Sequence, residues 1–284
     1  MSKQTTYGTD CEGQLLQAFA SLKRQTSFEP QIAIVLGTGL GDFGKAVDIE
    51  QEIAYADVDG LPVSTVEGHC GKFLLGKING VKVVAMQGRV HYYEGYSSQE
   101  VVLPVRLMGM LGAKVLLVTN AAGGITFPTV GTLMQIVDHI SLVPSPLIGK
   151  NIASLGKRFP DMTRPYDFEI GEILQDCARD LAIELKQGVY VQFPGPNFET
   201  ASEVRFAKII GGGAVGMSTA IEVIAARHMG MRVAGISCIT NPACGIGEEE
   251  LSHVDVQKAA DMVGESLQKL ILSWIGKLSD KKII

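Results

Sequence analysis

Three apolar runs in this chain each empty into a loop of small residues: "QIAIVLGTGLGDFG" from Gln31, "KVLLVTNAAGG" from Lys114 and "RVAGISCIT" from Arg232. Short, continuous apolar runs bounded by turn residues read as strands buried on both faces. Such strands need helices on both sides of the sheet. Helical spacing is present: Leu15, Leu16, Phe19 and Leu22 share a face in "CEGQLLQAFASLKRQ". Further helices are expected in "EIGEILQDCARDLAIEL", "TASEVRFAKII", "TAIEVIAARHM" and from about Val254 to Ile275. "FLLGKI" and "VKVVAM", joined by Asn79-Gly80, form a hairpin, because Asn-Gly suits the type I′ turn. "TLMQIVDHISL", "GVYVQF" and the Val47/Ile49 alternation add strands. "SSQE" is a capping-box start for a helix that Pro104 is placed to kink. The expected fold is α/β, with a mixed, largely parallel central sheet flanked by helices. No linker or repeat divides residues 1–284, which read as a single domain.

Composition excludes several function classes. A chain that is 46% apolar, with 33 glycines, can build a core and many tight loops. A net charge of -5 argues against non-specific nucleic-acid binding, which relies on a basic surface. An anion site must then be a local basic pocket, which favours a small substrate over a polymer. The 5 cysteines are odd in number and contain no C-x-x-C, so reduced thiols in a cytoplasmic protein are expected, with no disulfide framework and no metal. The start "MSKQTTYGTD" lacks the apolar core of a signal peptide. Arg106 and Lys114 interrupt the apolar stretch from Val101 to Val118, so no membrane span is expected.

Ligands bind at strand ends in open α/β sheets. Five strand-end loops carry unusual chemistry: "GTGLG", "GRVHYYEGY", "TNAAGG", "FPGPNFET" and "CITNPACG". In the second, Arg89 offers a rigid fork of donors for phosphate or carboxylate, His91 adds a second donor, and Glu94 is placed to orient His91. The plainer alternative is a solvated turn with aromatic anchors. Gly39, Gly41 and Gly44 fit G-x-G-x-x-G, the signature of a dinucleotide site and hence of an NAD-dependent dehydrogenase. The residues after it lack a clean helical stripe, so an amide nest with the Thr38 hydroxyl pointing into it is preferred.

The ordered set "GTGLG", "EGHCGKFLLG", "GRVHYYEGY", "VTNAAGG", "GPNFET", "VGMS", "EVIAARH" and "ITN" resembles the trimeric purine nucleoside phosphorylases, from about residue 31 to 256. The resemblance implies a nucleoside-phosphorylase-like fold whose sheet is a distorted barrel. It implies phosphorolysis of 6-oxopurine nucleosides such as inosine and guanosine, with xanthosine left open. The products are the free base and a pentose 1-phosphate. It implies no cofactor beyond inorganic phosphate as co-substrate, and a homotrimer that binds neither nucleic acid nor membrane. Carried over by motif, Thr38, His69, Arg89, His91, the Ala121 amide and Ser218 hold phosphate. Tyr93, Met217 and His253 line the ribose, and Phe159 is lent by a neighbouring subunit. Phe198, Glu199, Thr240 and Asn241 meet the base, with Asn120 beside the cleft. His91, Glu199 and Asn241 carry the catalytic roles.

Ordinary readings stand beside these. Met217 is a common core filler, Glu199 could face a helix dipole, and Asn120 and Asn241 could cap backbone. His139 and His228 stay unassigned. Ala220-Ile221-Glu222-Val223 departs from the Val-Pro-Glu-Val common in the family, and Phe193 occupies a position that varies among members. A 5′-methylthioadenosine phosphorylase is disfavoured because that relative has Asp where this chain has Asn241. A noncatalytic nucleoside-binding protein is the remaining alternative.

Overall fold

A computed structural model describes residues 11–37, 41–65, 71–247 and 253–284. Strand β1 (Ile32–Leu36) lies between β4 (Val81–Gln87) and β5 (Val115–Gly124) and is parallel to both. β3 (Lys72–Ile78) returns antiparallel to β4 through the expected turn, where Asn79 and Gly80 both take positive φ, 51° and 80°. β2 (Asp48–Ala54) pairs with β3 and ends that side of the sheet. The segment Gly41–Ala46 is a 6-residue 3-10 helix running into β2, so the glycine motif opens no dinucleotide-binding α-helix.

On the other side the sheet closes on itself. β5 pairs along its whole length with β9 (Arg232–Pro242) and, at Gly123 and Gly124, with β8 (Ala214–Gly216). β8 pairs with β7 (Leu185–Gln192), β7 with β6 (Leu133–Ser141), and β6 with β9. The five strands β5, β8, β7, β6 and β9 thus form a closed ring, the barrel-like half of a mixed sheet with nine strands among the described residues.

Strand alternation divides the core between the two faces. Ala33, Val35, Leu116 and Val118 point to one side. They cluster there with Leu15 and Leu22 of α1 (Cys11–Gln25), Leu107 of α3 (Leu103–Leu111) and Val223 of α6 (Ala220–His228). Ile32, Ile34, Val115 and Leu117 point to the other side. They meet Ile170 and Leu174 of α4 (Phe168–Asp180) and Leu270 and Trp274 of α7 (His253–Asp280). α5 (Ala201–Ile209) packs Val204 and Ala207 on a smaller cluster with Val191 and Val215.

Pro104 does break its helix. A short α2 (Ser98–Val101), capped by Ser97 and Glu100, ends at Val102, and Pro104 enters the first turn of α3, where a missing N–H costs nothing. The apolar pattern after Phe168 overruns the helix. α4 stops at Asp180, Ala182 adopts φ 54°, and the Ile183 N–H bonds back to Ala178 O at 2.8 Å. Leu185 is then claimed by pairing with Leu133. α7 runs past Ile275 to Asp280. β8, three residues long, is too short to show a period. No helix among the described residues is long and apolar enough to cross a membrane.

Trp274 is fully buried, and its indole N–H donates to Ile170 O at 2.8 Å, tying α7 to α4. Trp274→Ala removes both the packing and this donor. It should cost about 3–5 kcal/mol. Urea unfolding followed by far-UV circular dichroism would measure this, since the chain has 1 tryptophan and the variant has none.

Candidate active site

The site occupies a gap in one strand's hydrogen-bond ladder. β9 covers one edge of β5 throughout, so β1 and β8 must share the other. β1 pairs only as far as Val118, and β8 joins only at Gly123. The intervening residues, Thr119 to Ala122, face no strand on that edge. Asn120, Ala121 and Ala122 line the cleft that opens there. Thr119 secures the fork, because its hydroxyl donates to Val35 O and accepts the Gly37 N–H, each at 2.9 Å.

Arg89 follows the end of β4 and lines the cleft while only 3% exposed. Its Nη1 donates to Glu222 at 2.8 Å and to the Thr219 hydroxyl at 3.2 Å, and its Nη2 donates to Thr119 O. Glu222 also accepts the Thr219 N–H at 3.1 Å. Burial pushes the Glu222 carboxyl up, and the Arg89 charge pulls it back. The Thr219 hydroxyl further accepts from Asn120 Nδ2 at 2.9 Å and lies 3.1 Å from the Ser218 hydroxyl. Thr219 is fully buried and holds φ 82°, a region threonine rarely visits. Its conformation is fixed by these four partners.

Glu94 does orient His91. Its Oε1 accepts the His91 N–H at 2.7 Å and lies 3.2 Å from Nδ1, which fixes the plane of the ring. Its Oε2 accepts from the Thr65 N–H at 2.6 Å and hydroxyl at 2.8 Å. These bonds, the His91 side chain foremost, outweigh burial and hold the Glu94 carboxyl at about 2. Tyr93 stacks on His91 with centroids 4.7 Å apart, and burial raises its phenol to about 12.

The opposite wall is built by the loop after β7. Gly195 sits at φ 65°, and a Cβ there would come within 2.4 Å of Met217 Sδ and 3.0 Å of Tyr93. Only glycine lets the loop pass between them. Thr200 and Glu203 cap α5 reciprocally, so the acid facing the helix dipole is Glu203, and Glu199 is left to the cleft. Glu199 is 7% exposed, its Oε1 has no hydrogen-bond partner among the described residues, and burial raises its carboxyl. Asn241 is oriented by two bonds: its Oδ1 accepts from the Thr240 hydroxyl at 3.1 Å and its Nδ2 donates to Pro242 O at 2.8 Å. One amide hydrogen remains for a ligand.

Arg89, His91, Tyr93, Ala121, Phe198, Glu199, Met217, Ser218, Thr240 and Asn241 are therefore brought to one cleft. Thr38 and His69 lie outside the described residues. His253 begins α7, and Val256, one turn on, lines the cleft. Phe159 is not in this cleft. It is 86% exposed, with Arg158 5.8 Å from its ring centre. Phe193 packs into the cluster of Val191, Val204 and Val215 and lines no part of the cleft. Glu222 and Thr219 were not legible as site residues. The only signal for them is the capping-box spacing of Thr219-x-x-Glu222.

Residues 31–275 match the family described as the phosphorylase superfamily. The chain belongs to the phosphorylase superfamily. Purine nucleoside phosphorylase 1 of Bacillus subtilis is 47% identical over 92% of this chain and 97% of its own length. Purine nucleoside phosphorylase of Mus musculus is 41% identical over 88% and 90%. The Schistosoma mansoni purine nucleoside phosphorylase solved with inosine superposes with TM-score 0.88 at 34% identity, covering 94% of this chain and 96% of that one. A Schistosoma mansoni purine nucleoside phosphorylase has also been solved with adenosine, with TM-score 0.88 at 34% identity.

This phosphorylase makes use of the backbone N–H that Ile221 has and a proline would lack. That N–H donates to Oε1 of the fully buried Gln192 at 3.1 Å. Ile221→Pro would delete the one hydrogen bond that the Gln192 side chain makes among the described residues. Position 221 is early enough in α6 to accept the ring. The variant should lose about 1–3 kcal/mol of stability and keep its Michaelis constants, as denaturation and steady-state kinetics would record.

Glu94 gives a pH signature. Its folded-state value, lowered from 4.5 to about 2, contributes stability that is fully present above pH 4.5 and is lost as pH falls toward 2. Glu94→Gln should be less stable at neutral pH. It should also show a shallower loss of melting temperature across that acid window.

Proposed function

We propose that this phosphorylase splits 6-oxopurine nucleosides, inosine and guanosine among them, with inorganic phosphate. The observation that carries the base preference is the buried, unpartnered oxygen of Glu199 in a cleft that also contains Asn241. A carboxylate in that position accepts the N1–H of a 6-oxopurine and the 2-amino group of guanine. Adenine presents a lone pair at N1, facing the same carboxylate. The relatives named as purine nucleoside phosphorylases support phosphorolysis of purine nucleosides as the reaction.

The chemistry follows from the placement of charge. Phosphate attacks C1′ from one face as the bond from C1′ to N9 breaks, and the electron pair leaves on the purine. Arg89, His91 and Ser218, with the Ala121 amide and Thr38, hold the phosphate dianion in line. The dianion stabilises the cationic sugar above it. Asn241 donates its remaining amide hydrogen where negative charge collects on the base. Tyr93, Met217 and His253 bound the ribose, His69 lies near phosphate, and Phe198 packs on the purine. The enzyme acts as a cytoplasmic homotrimer, in which Phe159 reaches the neighbouring subunit's ribose. Its exposure, and its absence from its own cleft, support that role.

Phosphate-dependent release of hypoxanthine from inosine tests the reaction itself, and its absence would refute it. Base choice is tested by kcat/KM for inosine against adenosine. The wild type should prefer inosine by ~10⁴-fold, because a mismatched base leaves buried polar groups unpaired. Asn241→Asp cannot donate to the base or to Pro242 O, so it should depress inosine cleavage and shift the ratio toward adenosine. Since burial raises the Glu199 carboxyl, inosine turnover should fall on acidification at a pH above 4.5. Phe159→Ala should raise the nucleoside KM while sedimentation still reports a trimer.

A further inference from the structure

Arg106 interrupts an otherwise apolar stretch, and the nucleoside cleft makes no use of it. It sits on α3, 5% exposed, and its Nη1 is buried with no hydrogen-bond partner among the described residues. No carboxylate among them pairs with it, and burial drags the guanidinium down to about 10. A buried cation without a counter-charge is strongly unfavourable.

Arg106 borders a second cavity, where Cys11 of α1, α3, His228 of α6 and the segment from Pro146 to Ile152 meet. This cavity shares no lining residue with the nucleoside cleft. Among the described residues its walls supply no negative charge. Gln99 is engaged at both ends, accepting from Cys11 Sγ at 2.9 Å and donating to Ile148 O at 2.5 Å. Asn151 gives its amide hydrogen to Gly156 O at 3.1 Å, so its Oδ1 must accept from His228 Nε2, also at 3.1 Å. That fixes the imidazole proton on Nε2. Burial, and next the Arg106 charge, push the His228 imidazole down. Lys150 stands at the rim, 88% exposed, and the nearby acid Glu12 lies 3.4 Å from its Nζ and not on Arg106. The cavity measures about 20 Å³, enough for a small occupant of about the size of a water.

We propose that this cavity binds a single monatomic anion, chloride in solution, held by the Arg106 guanidinium. The site is independent of the phosphorylase chemistry. Its role is to neutralise a cation that the fold buries between three helices, so occupancy appears as stability and not as turnover.

Two measurements on the full-length protein test it. Crystals grown without chloride and soaked in sodium bromide should show an anomalous peak within hydrogen-bonding distance of Arg106. The melting temperature should rise saturably, by roughly 2–4 °C, when chloride replaces gluconate at constant ionic strength. Arg106→Met should abolish that rise without changing inosine kinetics. If Arg106→Met fails to fold, the bromide position in the wild type decides alone. An empty cavity in the bromide map, a carboxylate of a second subunit bonded to Arg106, or equal melting in chloride and gluconate would each overturn the proposal.

Discussion

The cleft depends on one buried ion pair. Arg89 and Glu222 meet at 2.8 Å with side chains 3% and 1% exposed. Such pairs contribute little net stability, because desolvation offsets attraction, but losing one partner is severe. What this pair supplies is position. Arg89 arrives from the end of β4, Glu222 from the first turn of α6, and Thr119 O from β5 completes the grip. Three elements distant in sequence are thereby fixed at one point. The strained Thr219 backbone is held by the same network, as expected where surrounding contacts over-determine a costly conformation. Ser218, beside it, inherits its placement.

The second determinant is the closure of the barrel. A strand paired on both edges offers no ligand any backbone group. β5 departs from that condition only between Val118 and Gly123, where β1 has left and β8 has not yet joined. Chemistry is confined to that window. The loops after β4, β7 and β8, and the end of β9 itself, all deliver side chains to it. The buried sheet forms the floor of the cleft, while the Asn241 amide is set by bonds to its two chain neighbours, Thr240 and Pro242.

Much of this was legible in the sequence, for physical reasons. The Asn79-Gly80 hairpin and the Ser97-Glu100 cap are encoded within a few residues, and both appear as read. Central strands announce themselves as apolar runs because both faces are covered. The motif residues share a cleft because each lies at a strand end. Other features were hidden because long-range contacts determine them. The apolar pattern of α4 continues through Leu185, but pairing with β6 takes that residue. Nothing local tells Glu222 from any other acid in a helix's first turn. Its role exists only because Arg89, 133 positions away, folds against it. Phe193 proves to be packing.

Ring closure also governs how the molecule meets its neighbours. A nine-stranded sheet normally exposes two edges, each a template for another chain. Here one end is consumed by the pairing of β5 with β9, leaving β2 as the open edge among the described strands. That edge is defended. β2 reads Asp-Ile-Glu-Gln-Glu-Ile-Ala, largely exposed, with a register shift between Ile49 and Gln51. Glu50 and Glu52 are tethered to Lys77 and Lys72 of β3. Charge and bulge together make strand addition unfavourable, so the topology that creates the cleft also leaves little for edge-to-edge aggregation to exploit.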